Sequence, residues 1–187
     1  MKRLLVRRPG HVPGFLWAGT SWTKALCGCA LALAFVFPAA ADTISGRVVS
    51  VADGDTITVL DNSNTQHKVR LSGIDAPERA QPFGRQSREQ LAELVAGKSV
   101  EVETDKTDRF GRSVGKVVLS GRDINLAMVV SGLAWHYKAF AKEQGAADRL
   151  LYADAEAEAR QARRGLWLEA DPVPPWDWRA RKRGAQQ

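Results

Sequence analysis

The chain predicts an α+β fold, mainly β: a five-stranded β-barrel of the OB type with about three helices. Three observations predict it. β-Branched residues gather in short runs separated by Asp, Gly and Asn turns through the first half of the chain. Hairpin-like pairs come first, and helices interrupt and follow them, which suits a small closed barrel better than the regular alternation of an α/β sheet. No internal repeat points to a solenoid or propeller.

Residues 1–41 stand outside that fold. Lys2, Arg3, Arg7, Arg8 and Lys24 precede an apolar run from Ala25 to Phe37 that closes on Pro38-Ala39-Ala40-Ala41. This is the layout of an export signal with cleavage after Ala41, and the run is short for a permanent membrane span. A periplasmic or secreted protein is expected, with retention of the segment as an anchor the alternative. Both cysteines, Cys27 and Cys29, fall in this segment, so the remainder has no thiol for a disulfide or a zinc site. The formal charge of +6 belongs largely here too, because five of the basic residues and none of the acidic ones lie in the segment. The remainder is close to neutral, so affinity for a polyanion would have to come from local clustering.

Within the domain expected over residues 42–170, Thr43 to Val59 reads as two strands joined at Asp53-Gly54-Asp55. Asn62-Ser63-Asn64 breaks the chain before a third strand, Lys68 to Ile74. A helix is expected from about Arg85 to Ala96, with Leu91, Leu94 and Val95 at helical spacing and Gly97 as its stop. Val100 to Glu103 and Val114 to Leu119 give two more strands, with Asp105 to Arg112 a polar loop between them. Asp123 caps a helix whose Ile124, Ala127, Met128 and Ser131 share one face, and a last helix runs from about Gly145 to Arg163. The segment 171–187 is rich in Pro and Trp, ends in basic residues and is expected to be extended.

With only His67 and His136 beyond the presequence, a multi-histidine metal centre and a cysteine nucleophile are both disfavoured. Oxygen ligands and arginines remain. Asp53-Gly54-Asp55-Thr56 can be simply a tight turn. It gains meaning beside Arg70-Leu71-Ser72-Gly73-Ile74-Asp75-Ala76-Pro77-Glu78, where a strand carrying Arg70 ends in a proline-stiffened turn presenting Asp75 and Glu78. Two acidic turns at one barrel rim could hold a hard cation such as calcium. Arg112, in Asp108-Arg109-Phe110-Gly111-Arg112, starts a further strand and is otherwise a surface arginine.

These motifs, with Gly132-Leu133-Ala134, make the chain resemble the staphylococcal nuclease-like (thermonuclease) family from about Thr43 to Trp167. The resemblance implies that OB-type barrel and a calcium-dependent nuclease acting on DNA or RNA and leaving 3′-phosphate ends. It implies Asp55, Asp75 and the main-chain carbonyl of Ala76 as calcium ligands, and Glu78 as the general base. Arg70 and Arg112 would be the phosphate-binding catalytic arginines, whose forks match phosphate and keep their proton. It implies nucleic acid as partner, a monomer, and no stable membrane partner after signal cleavage.

Two features depart from the pattern. Where the best-known member has nucleotide-flanking tyrosines, Lys138 and Phe140 stand here; Trp135 and Tyr137 offer other faces for bases or else pack into the core, and Arg109 adds local positive charge. His136 is expected at a polar rim. The segment Arg79 to Arg85 is short where the staphylococcal protein has a longer loop. The competing readings are a catalytically inactive OB-type nucleic-acid-binding module of the cell envelope and an envelope protein whose basic tail touches anionic polymer.

Overall fold

The computed structural model describes residues 42–185. The expected export signal lies outside the described residues.

Alternating burial builds the barrel. Strands β1 (Asp42–Asp53), β2 (Thr56–Asp61) and β3 (Gln66–Leu71) form an antiparallel meander in which Val48, Val51, Ile57, Val59, Val69 and Leu71 turn inward. After the two-residue β4 (Ile74–Asp75) and helix α1 (Gly84–Val95), β5 (Ser99–Thr107) returns along the first half of β1, and β6 (Ser113–Leu119) pairs with β5. A parallel pairing of β3 with β6, Val69 opposite Ser113 and Leu71 opposite Gly115, closes five strands into a mixed barrel. The expected OB-type architecture is what the structure has.

Gly115 lies where strands cross closely: a Cβ there would come within 2.5 Å of the Glu103 carbonyl oxygen. At the bulged end of β1, the carbonyl oxygens of Val51 and Ala52 are taken by side chains, Arg88 Nε at 3.1 Å and Arg79 Nε at 2.8 Å.

The two-residue β7 (Arg122–Asp123) leads into α2 (Ile124–Val130), whose first turn is capped by Asp123 Oδ1 accepting from the Leu126 N–H at 2.9 Å. Asn125 is fully buried beneath the barrel. Its Oδ1 accepts from the Val117 N–H at 3.0 Å, and its amide donates to the carbonyls of Ser72 at 2.9 Å and Gly115 at 3.2 Å. Strand β8 (Trp135–His136) pairs with β4, a short 3-10 turn spans Lys138–Glu143, and α3 (Ala146–Gln161) packs on α2. Among the described residues no helix is long and apolar enough to cross a membrane.

Two expectations are corrected. Residues 105–107 continue β5 instead of opening a loop, because the hairpin register carries Lys106 and Thr107 opposite Val114 and Ser113. The segment after residue 171 is not extended: α4 (Pro175–Gly184) is a helix, with Pro175 at its start, Asp177 in its first turn and Arg181, Lys182 and Arg183 in its last. That layout fits proline's fixed φ and the helix dipole.

Candidate active site

The Asp53-Gly54-Asp55 turn is pressed against α1. A Cβ on Gly54 would fall 1.8 Å from Ser87 Oγ, so only glycine lets the turn approach this closely, while Ser87 Oγ itself donates to the Leu133 carbonyl at 2.7 Å. The Asp55 carbonyl then accepts from the Leu71 N–H at 2.8 Å, which fastens the turn to β3. Asp55 is 4% exposed; its Oδ2 accepts from the Ala76 N–H at 2.8 Å and its Oδ1 from the Thr56 hydroxyl at 3.0 Å.

Arg70, opposite Thr56 in the β2–β3 ladder, points at two carboxylates together. Its Nη1 contacts Asp55 Oδ1, and its Nη2 lies 2.8 Å from Asp75 Oδ1. Asp75 is fully buried because β4 pairs it with Trp135 of β8. Glu78 follows on the proline turn with its side chain 40% exposed, and that turn is fixed by the Gln81 N–H donating to the Glu78 carbonyl at 2.8 Å. The structure thus brings Asp55, Arg70, Asp75 and Ala76 together at one barrel rim, with Glu78 beside them.

Electrostatics follows from that crowding. Burial pushes the Asp55 carboxyl up, but the Arg70 charge and the Ala76 N–H outweigh it and hold the group below its ordinary range. For Asp75 burial wins: the Arg179 hydrogen bonds oppose it, the Asp55 charge adds to it, and the net direction is upward. Asp53 is raised to about 6 by burial and then by the Asp55 charge. Burial alone would weaken the Arg70 proton's hold, but the two carboxylates reverse that and keep the guanidinium charged.

The remaining predicted residues are placed differently. Arg112 lies just before β6, but its fork is committed to Asp108, with Nε and Nη2 each 2.7 Å from Oδ2. Arg109 is exposed on the same turn, its guanidinium 4.8 Å from the Phe110 ring centre. Trp135 is a correction: it is 2% exposed and packs edge-on against Trp167 at 5.3 Å and Trp176 at 6.4 Å, leaving no face for a base. Tyr137 is half-buried, and Trp176 stacks on it at 5.4 Å and 9°. His136 is not at a rim; it is 2% exposed with Nε2 2.9 Å from Gln144 Oε1, because pairing of β8 with β4 draws it inside.

Sequence reasoning missed Arg179. Carried by α4, it forks onto Asp75 (Nη2–Oδ2 2.8 Å, Nη1–Oδ1 3.2 Å) and reaches Glu78 Oε1 at 2.9 Å. The signal available was the helix-start and helix-end chemistry around Pro175 and Arg181-Lys182-Arg183, which turns a basic tail into a short directed element.

Among the described residues no three His, Cys, Asp or Glu side chains converge as a metal cage. Asp55 and Asp75 nonetheless offer two buried carboxylates side by side on Arg70, oxygen donors with no soft ligand, which would suit a hard cation completed by water. A surface hollow of about 600 Å³ bordered by Arg47, Asp61, Asn62 and Glu101 includes none of these residues.

Fold and rim together define an OB-type barrel whose end presents an arginine-bridged acidic centre. A family model described as staphylococcal nuclease homologue matches residues 68–169. A protein of Escherichia coli O157:H7 named "Uncharacterized endonuclease" is 48% identical over 149 residues, which is 79% of this chain and 93% of that protein. "Micrococcal nuclease" of Shigella flexneri is 40% identical over 165 residues, 83% of this chain and 91% of that protein. "Probable staphylococcal-like nuclease CAN3" of Oryza sativa subsp. japonica is 37% identical over 146 residues, 78% of this chain and 36% of the rice protein. The chain belongs to the staphylococcal nuclease family.

Proposed function

We propose that this chain is a calcium-dependent nuclease that hydrolyses phosphodiester bonds of DNA or RNA at the Asp55–Arg70–Asp75 rim and leaves 3′-phosphate ends. Hydrolysis of nucleic acid follows from family membership. The observation that carries the finer reading is one guanidinium, Arg70, spanning two buried carboxylates from separate turns, with Glu78 beside them on the rim.

Asp55, Asp75 and the Ala76 carbonyl would hold calcium. When bound, it supplies charge that neutralises the phosphate and makes a coordinated water more acidic. Glu78, less buried than its neighbours, is placed to orient the attacking water and accept its proton. Arg70 offers its fork to the phosphate oxygens as their charge concentrates. Arg112 is the second phosphate arginine; its pairing with Asp108 fixes the direction of its stem before substrate arrives. Water adds to phosphorus, the bond to the 5′ oxygen breaks, and the phosphate stays on the 3′ side. Arg109 and Tyr137 are the residues for flanking nucleotide contacts; Trp135, being buried, is left out. Export through the basic and apolar presequence would put the enzyme in the periplasm or outside the cell.

Single-stranded DNA and RNA are incubated with the protein in calcium and in chelator, alongside Glu78→Gln. Cutting that needs calcium and falls at least about 100-fold in the variant is the expected result. Binding without cutting in both conditions would leave the inactive OB-type module as the correct reading.

A further inference from the structure

The C-terminal helix covers the acidic rim and the nearest aromatic face at once. Trp176 and Arg179 are three residues apart and therefore lie on one side of α4. Trp176 stacks on Tyr137, the ring assigned above to nucleotide contact, while Arg179 forks onto Asp75 and Glu78. The docking is built and not incidental: Pro175 is buried, and the Val173 carbonyl accepts from the Gln81 side-chain amide at 2.5 Å, on the turn that presents Glu78.

The charge balance makes Arg179 more than a neighbour. Asp55, Asp75 and Glu78 crowd one rim of the barrel; Arg70 pairs with Asp55 and Asp75, and α4 adds Arg179, which pairs with Asp75 and Glu78. Its two terminal nitrogens take both oxygens of Asp75, so the carboxylate lone pairs a metal ion would use are already engaged. A charge-assisted fork on a fully buried carboxylate is among the stronger polar contacts a protein makes.

We infer that α4 is an internal cap of the active centre, with Arg179 a built-in counter-cation that calcium must displace from Asp75 and Glu78. The inference rests on the calcium reading above. Displacement frees the Asp75 oxygens for the metal, releases Glu78 for water and, through the rigid helix, lifts Trp176 from Tyr137. The rim is closed to nucleic acid until metal arrives, and metal affinity is lowered by the free energy of the Arg179 contacts, since the two cations bind exclusive states.

Calcium affinity is measured calorimetrically on the full chain and on Arg179→Ala, Trp176→Ala and Asp75→Asn, with hydrogen exchange of the α4 amides followed in calcium and in chelator. Arg179→Ala should bind calcium about tenfold or more tightly, the change a charge-assisted contact supports. Trp176→Ala, which loosens α4 but keeps the guanidinium, should move the same way by less. Calcium should speed exchange in α4 of the wild type and have little effect on α4 of Arg179→Ala, where it is already loose. Equal or weaker binding by Arg179→Ala, with binding lost in Asp75→Asn, would overturn the cap and leave the calcium site standing. Absence of calcium binding in every form would overturn both.

Discussion

Arg70 makes it possible for Asp55 and Asp75 to be buried together. Removing it leaves Asp55 buried without its cation and Asp75 held by Arg179 alone, so Arg70→Ala should lose stability by about 3–5 kcal/mol at neutral pH, as loss of one partner from a buried ionic group does. The sign of the pH dependence is set by Asp55, whose carboxyl is held below its ordinary range in the folded state. Stability from that pairing is fully present above the ordinary carboxylate range and is lost as pH falls through the depressed folded value, so wild type and variant should begin to converge only below about pH 4 in urea titrations. Asp53 behaves in the opposite sense. With its folded value raised to about 6, it binds its proton more tightly folded than unfolded, and that advantage is lost as pH rises towards 6. Asp53→Asn keeps an acceptor for the Asp55 N–H and should stabilise the metal-free protein by about 1–2 kcal/mol at pH 7.5, with no gain at pH 4. Asp55, Arg70, Asp75 and Glu78 could be singled out in the sequence because two acidic turns and a strand arginine stand in an ordered set that resembles a known family; each motif alone reads equally as a turn or a surface charge. Arg179 could not, since nothing local says that a basic residue about a hundred positions later folds back onto Asp75.

At the level of elements, the five barrel strands and the first three helices could be read because burial imposes a period on them, whereas the two-residue β7 and β8 carry no such period. α4 has no apolar stripe, only aromatic anchors and end chemistry, so periodicity is silent about it. The extension of β5 through Thr107 was hidden for a related reason: Lys106 and Thr107 are polar and paired by register alone. Where α2 meets the barrel, Ile124, Met128 and Val129 join its apolar core and one polar side chain ties the backbones. Asn125 satisfies β6 and the β3–β4 turn together, and no spacing rule marks it. Asn125→Ala would strand the Val117 N–H and two carbonyls in the interior. A loss of about 2–4 kcal/mol is expected, read as a shift in the urea midpoint with an unchanged slope.

For the molecule as a whole, the decisive event is closure of β3 on β6. Hairpins are predictable from neighbouring residues, but a parallel seam between strands separated by a helix and two further strands is not, which is why the sequence supports a barrel without specifying the partners. Gly115 pairs with Leu71 across this seam while its other neighbour, β5, comes close, and Gly115→Ala would push a methyl group into the Glu103 carbonyl. A destabilisation of about 1–3 kcal/mol is expected, as for other overpacked interiors, visible as a lowered thermal midpoint. Hydrogen exchange would separate this change from one at the periphery, because amides at the seam open only when the barrel does.

The bulged end of β1 also bears on behaviour in concentrated solution. A strand end with unclaimed carbonyls is a template for another chain, and here Arg79 and Arg88 occupy it with donors that carry charge. Replacing both by Leu would strip the guard while leaving the barrel's interior untouched. The altered protein should remain folded when dilute yet precipitate as concentration rises, in a manner that light scattering would register long before any loss of secondary structure.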